Sequence, residues 1–188
     1  HALCLDVLED LVPQTKGMIV SVGLPLSYRN GLFNTAALLV DGTLAGFVAK
    51  RFLAGDGLHY EPRWFKAWPH GVCTQVEIRG QHYPLGDYHF RCGDIEIGFE
   101  ICEDAWVAKR PGVHLAQKAV DIILNPSASH FAFDKFSLRQ RFVMEGSRAF
   151  GVCYIYSNLL GNASGRTVYD GGALIAAGGE LVAVGERF

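Results

Sequence analysis

No apolar run in this sequence reaches the roughly 18 residues a membrane-crossing helix needs, and its start lacks the charged stretch and hydrophobic segment of a signal peptide. A cytoplasmic protein is the expectation. Runs of like charge are also missing, and the formal net charge is only -2, so neither a nucleic acid nor an anionic membrane is expected as a partner. The five cysteines include no CxxC pair; their odd number and irregular spacing argue against both a disulfide framework and a zinc site. The seven histidines form no HExxH or other paired spacing, so no metal is expected. The sequence has no GxSxG elbow and no GxxxxGK[ST] phosphate loop, and the GDG at Gly55 to Gly57 lacks the rest of a dinucleotide fingerprint. The chain opens at His1 without an initiator Met and runs straight into a helical pattern, which reads as a fragment.

What is present is a globular mix, 49% hydrophobic and 19% charged over 188 residues, enough for one domain with a sizeable core. Leu3, Val7, Leu8 and Leu11 recur at helical spacing and Pro13 closes that segment, after which MIVSVGLPL reads as a buried strand. Asp41-Gly42 separates two apolar runs and suits the positive backbone angles of a hairpin turn; similar turns are expected at Gly80 and at Gly178-Gly179. Between Asp94 and Asn158 the order becomes strand IEIGFEIC, helix GVHLAQKAV, strand DIILNP, helix KFSLRQRFVMEGSRAFG, strand VCYIYSN. That alternation predicts parallel strands with crossover helices, an α/β fold.

In layered α/β folds ligands gather outside the carboxyl ends of strands, which directs attention to the residues that end each apolar run. These are Lys50, Cys102 with Glu103, Asn125 with Ser127 and Ser129, and Asn158. A thiol at such a rim is a nucleophile only as thiolate, and with an ordinary pKa of about 8.5 it is only a few per cent ionised at neutral pH. A neighbouring ammonium lowers that pKa and steadies a tetrahedral oxyanion, a role Lys50 can fill. A carboxylate must also move the proton, and Glu61 and Glu103 are at hand. Each residue has a plain reading when taken alone: a strand-end cysteine as a small hydrophobe, a lysine with its stem on the surface, Asn and Ser as turn formers.

Four segments in order, FVAKRFLAGDGLHYEPRWF, GFEICEDAW, NPSASHF and VYDGGALIAAGGELVAVGERF, resemble the carbon-nitrogen hydrolase (nitrilase) superfamily across nearly the whole chain. A cysteine followed by Glu-Asp, one residue and Trp106 is most similar to the glutaminase domain of glutamine-dependent NAD synthetases. The resemblance implies a four-layer α-β-β-α sandwich of the nitrilase type over 1–188, N-terminally incomplete. It implies hydrolysis of the glutamine amide through a cysteine thioester, with ammonia passed to an ATP-dependent synthetase domain that makes NAD from nicotinic acid adenine dinucleotide. By position it makes Cys102 the nucleophile, Lys50 the catalytic lysine and Glu61 a second glutamate that orders the site. Glu103, Ser127, Ser129 and Trp106 become substrate contacts.

The family's general base is a glutamate on an earlier strand, upstream of these residues, and RFLAGDGLHYE lacks the Leu-Pro and tyrosine often found after the lysine. No cofactor is expected in this chain; ATP and Mg belong to the synthetase domain. The expected partners are glutamine, that synthetase domain and further copies of the chain. Two other readings share these residues: a free-standing amidase or carbamoylase of the same superfamily, and a binding module that has lost its chemistry.

Overall fold

The computed structural model describes residues 2–55, 57–163 and 167–188, and the chain forms two compact units, 1–90 and 91–188. In the first, α1 (Ala2–Leu11) is the expected helix, and Pro13 falls in a single 3-10 turn, Val12–Thr15, where its missing N–H costs nothing. Two long strands follow, β1 (Ile19–Tyr28) and β2 (Gly31–Val40), then β3 (Thr43–Ala49), the four-residue α2 (Glu61–Trp64), β4 (Cys73–Ile78) and β5 (Gln81–Gly86). They form one sheet in the order β1-β2-β3-β5-β4, antiparallel except where β3 meets β5. The hairpins at Asp41-Gly42 and at Gly80 are present, with positive φ at both central residues of each turn.

β1 departs from the expectation of a buried strand. Only Leu24 and Leu26 are buried, because the strand ends its sheet and turns one set of alternate side chains to the core of this unit. That core gathers Leu8, Leu26, Leu39, Phe47, Trp68 and Leu85.

The second unit is built on β6 (Phe90–Cys92), β7 (Ile95–Phe99), α3 (Gly112–Gln117), β8 (Ile122–Ser127), α4 (Lys135–Phe150), β9 (Cys153–Asn158), β10 (Leu160–Ala163), β11 (Thr167–Asp170), β12 (Ala173–Ala177) and β13 (Glu180–Val184). Six of the strands order as β13-β12-β9-β8-β7-β6, while β10 and β11 pair separately. β7, β8 and β9 run parallel with α3 and α4 as their crossovers, as the alternating pattern predicts. α4 lays Val143 against Ile123, Tyr154 and Leu174 and stops at Gly151, which takes the left-handed conformation of a helix C-cap. Strand β7 stops at Phe99 instead of running to Cys102, and the two intervening residues, Glu100 and Ile101, carry the chain into a tight turn. The mixed α/β class is therefore as expected. Among the described residues no helix is long and apolar enough to cross a membrane.

Candidate active site

The first unit holds Lys50 immediately after β3, buried, with its backbone N–H donating to the Asn34 carbonyl and its own carbonyl accepting from Trp68. Its ammonium donates to Glu61 Oε2 at 2.5 Å. The same oxygen accepts the Ala54 N–H at 2.6 Å, and Oε1 accepts Asn34 Nδ2 at 2.7 Å. Glu61 sits at the first position of α2, so a short helix following a loop brings the carboxylate back under the lysine. Three donors occupy both oxygens. The carboxylate is thereby a fixed counter-charge that orients Lys50, and its engagement leaves it poorly suited to carry a proton back and forth. Asp56, the middle residue of the GDG segment, lies outside the described residues.

The second unit holds Cys102 at the start of a 3-10 turn, Cys102–Ala105, with a φ of 50°. A left-handed conformation in a residue with a Cβ costs about 1–2 kcal/mol and persists only where the surroundings enforce it. Here the buried Asp104 does so: its carboxylate accepts the Ile101 N–H at 2.9 Å, while the Asp104 N–H donates to the Ile101 carbonyl. The strand-to-turn step lifts the half-buried thiol out of the strand. Glu103 and Trp106 lie on the same turn, joined by the Trp106 N–H to the Glu103 carbonyl.

Around the thiol stand residues from α4 and β9. Lys135, the first residue of α4, has its pKa lowered chiefly by burial and next by the nearby Arg139 charge, against the opposing pull of Cys102, Asp170 and Glu103. Its ammonium is 5.9 Å from the centre of the Trp106 ring and 3.2 Å from the His130 ring nitrogens. Burial pushes the Tyr156 phenol above its ordinary value, with a smaller upward push from Cys102; Arg139, Ser127 and Ser129 act in the opposite direction. Neither serine meets the geometry of a hydrogen bond to the Tyr156 hydroxyl, which has no partner among the described residues. A ladder of edge-on rings, Trp106 to Phe142 to Tyr156, floors this region.

Ser129 is clamped by its backbone. Its N–H donates to Asn158 Oδ1 at 2.8 Å, and its carbonyl accepts from Asn158 Nδ2 and from Arg139 Nη2. Arg139 is itself fully buried and donates through Nη1 to Asp170 at 2.7 Å. Burial would raise the Asp170 carboxyl, but the Arg139 guanidinium outweighs it and holds the group below its ordinary value. Ser127 lies at the end of β8, its hydroxyl donating to Asn125 Oδ1.

A family model for carbon-nitrogen hydrolases matches residues 10–188. The chain belongs to the carbon-nitrogen hydrolase family. Among curated proteins it is 32% identical to a glutamine-dependent NAD(+) synthetase of Saccharomyces cerevisiae, over 93% of this chain and 26% of that protein. It is 30% identical to one of Mus musculus, over 98% and 27%. The chain thus spans about a quarter of the length of these relatives. A crystal structure of a glutamine-dependent NAD(+) synthetase from Cytophaga hutchinsonii superposes with a TM-score of 0.91 at 40% identity, covering 99% of this chain and 30% of that one. A carbon-nitrogen hydrolase from Helicobacter pylori, at 18% identity and a TM-score of 0.78, shares the fold.

Of the residues singled out in the sequence, the structure joins Lys50 with Glu61 in one unit, and groups Cys102, Glu103, Trp106, Ser127 and Ser129 in the other. Sequence reasoning passed over Lys135, Asp104 and Tyr156. Lys135 looks like an ordinary helix-start lysine, and only its position six residues after Ser129 hints that it returns to the same rim. Among the described residues no group of three His, Cys, Asp or Glu side chains is placed to hold a metal ion.

Proposed function

We propose that this chain is the amide-hydrolysing part of a glutamine-dependent NAD synthetase, releasing ammonia from the side chain of glutamine. The observation that carries this reading is the strained Cys102 turn, with the Lys135 ammonium 5.9 Å from the centre of the Trp106 ring on that turn. A backbone that costs free energy at one cysteine, with a cation at the same turn, suits a nucleophile better than a packing residue.

In this reading the Cys102 thiolate attacks the carboxamide carbon, forming a C–S bond while the carbonyl electron pair moves to oxygen. Collapse breaks the C–N bond, and the nitrogen takes up a proton and departs as ammonia. Water then adds to the thioester, and the C–S bond breaks to give glutamate and the free thiol. Lys50, oriented by Glu61, is assigned to the stabilisation of the oxyanion. Lys135 supplies a cation for an anionic group of the substrate, and Glu103, Ser127, Ser129 and Trp106 contribute substrate contacts. The thiol proton goes to a general base other than Glu61, whose two oxygens are already engaged. ATP and Mg serve a synthetase domain outside this chain, and the setting is cytoplasmic.

The test is Cys102→Ala in the full-length protein. Glutamine-driven synthesis of NAD should fall by at least about 10⁴-fold, while synthesis from free ammonia stays within twofold of wild type. Retention of the glutamine-driven rate, or equal loss of both, would overturn the proposal.

A further inference from the structure

Behind Ser127 runs a chain of buried hydrogen bonds whose direction is dictated from one end. Glu100 is fully buried and its carboxylate can only accept. It accepts from Arg110 Nε at 3.0 Å and Nη2 at 2.5 Å, and from the Gly112 N–H at 2.6 Å. Gly112 is required here, since a Cβ would fall 2.2 Å from the Phe150 ring. Tyr154 must therefore donate to Glu100, which it does at 2.6 Å. With its only proton spent, the phenol accepts from Asn125 Nδ2 at 2.8 Å and from Arg110 at 3.1 Å. That fixes the orientation of the Asn125 amide, so Oδ1 faces Ser127 and takes its hydroxyl proton at 2.6 Å. Burial and the neighbouring Glu100 charge both push the Tyr154 phenol up, which keeps its proton in place.

We infer that this chain makes Ser127 an obligate acceptor at the Cys102 rim, so that it recognises an N–H donor of the substrate and rejects an oxygen in the same place. Ser127 is half-buried at the end of β8, a strand that packs against the Cys102–Ala105 turn. Its proton is committed inward, so only lone pairs are presented outward. Glu100, Tyr154 and Asn125 are positioning residues that act through Ser127. The inference rests on the amide-hydrolase reading. The donor is either the carboxamide NH₂ or an α-ammonium group, and the two differ in which analogue loses affinity.

The experiment is steady-state kinetics of the full-length protein with glutamine, with its des-amino analogue glutaramate, and with the γ-methyl ester of glutamate. In the wild type, the analogue lacking the recognised N–H should show a KM about tenfold higher than glutamine. Glu100→Gln replaces the acceptor-only anchor by a group that can donate, which allows every bond of the chain to reverse and turns the Ser127 proton outward. It should raise the KM for glutamine about tenfold with kcat within twofold, and erase the discrimination against that analogue. Ser127→Ala should raise KM similarly, and the double variant should be no worse than Ser127→Ala alone. Should Glu100→Gln fail to fold, as judged by its melting curve, Tyr154→Phe cuts the chain at its middle and is put through the same cycle with Ser127→Ala. Multiplicative effects in the cycle, or equal KM for all three substrates in the wild type, would overturn the inference and leave the hydrolase reading intact. A wild type that cleaves no glutamine would overturn both.

Discussion

Replacing Glu61 by glutamine changes almost no volume and removes one charge, which makes it a sharp probe of the Lys50 pair. All three partners of the carboxylate are donors: Lys50 Nζ and the Ala54 N–H on Oε2, and Asn34 Nδ2 on Oε1. A glutamine can satisfy the first two with its carbonyl, and its NH₂ then faces Asn34, which can turn its own amide to accept. The hydrogen bonds therefore survive and the ammonium alone is left without its counter-charge. Breaking a buried pair costs about 3–5 kcal/mol. Lys50 is buried, but Glu61 keeps 19% of its side chain exposed, which reduces the expected loss to about 2–3 kcal/mol. At about 2–4 °C per kcal/mol for a chain of this size, the thermal midpoint should fall by roughly 4–12 °C in a circular dichroism melt. The double variant Lys50→Met, Glu61→Gln removes the stranded charge and should recover most of that loss. A shift below about 2 °C for Glu61→Gln, or no recovery in the double variant, would refute the reasoning.

Two further predictions address the second unit. Cys102→Gly and Cys102→Ala should both be inactive, yet the glycine variant should melt higher by about 1 kcal/mol, or roughly 2–4 °C, because only it relieves the left-handed strain; an alanine variant of equal or greater stability would remove the case for strain at that turn. Asp170→Asn should lower the midpoint by roughly 10 °C at neutral pH, since the Arg139 charge is then buried without its partner. The Asp170 carboxyl is held below its ordinary 3.8, so its contribution is complete above that value and is lost as the pH falls through the lower folded one. The gap between wild type and variant should therefore close only below about pH 4, and a gap that closes near pH 6 would contradict the assignment.

Local chemistry made much of this fold legible. Asp41-Gly42, Gly80 and Gly178-Gly179 each announce a hairpin because a turn with positive φ favours glycine, and all three form. The Tyr28–Gly31 hairpin was missed: the left-handed position of its turn is taken by Arg29, and the glycine that follows, Gly31, already opens the next strand. Alternating strands and helices gave the parallel β7-β8-β9 core, and the residues ending those strands lie along one edge of it. What could not be read were partnerships across long separations. Nothing near Glu100 says that its carboxylate meets Tyr154, 54 residues later. Likewise, Arg139 looks like one more polar helix residue until Asp170, 31 positions on, explains its complete burial.

That last pair bears on how the protein is made. The loop carrying Ser129 is held by Arg139 and Asn158, which both lean on Asp170, and Asp170 in turn receives Arg187 almost at the end of the chain. On the ribosome, then, a stretch synthesised early has no means of keeping its shape until residues several tens of positions later have emerged. At about 5–20 residues per second that is a wait of several seconds, during which a chaperone or a protease would meet the nascent rim of the site in an open form.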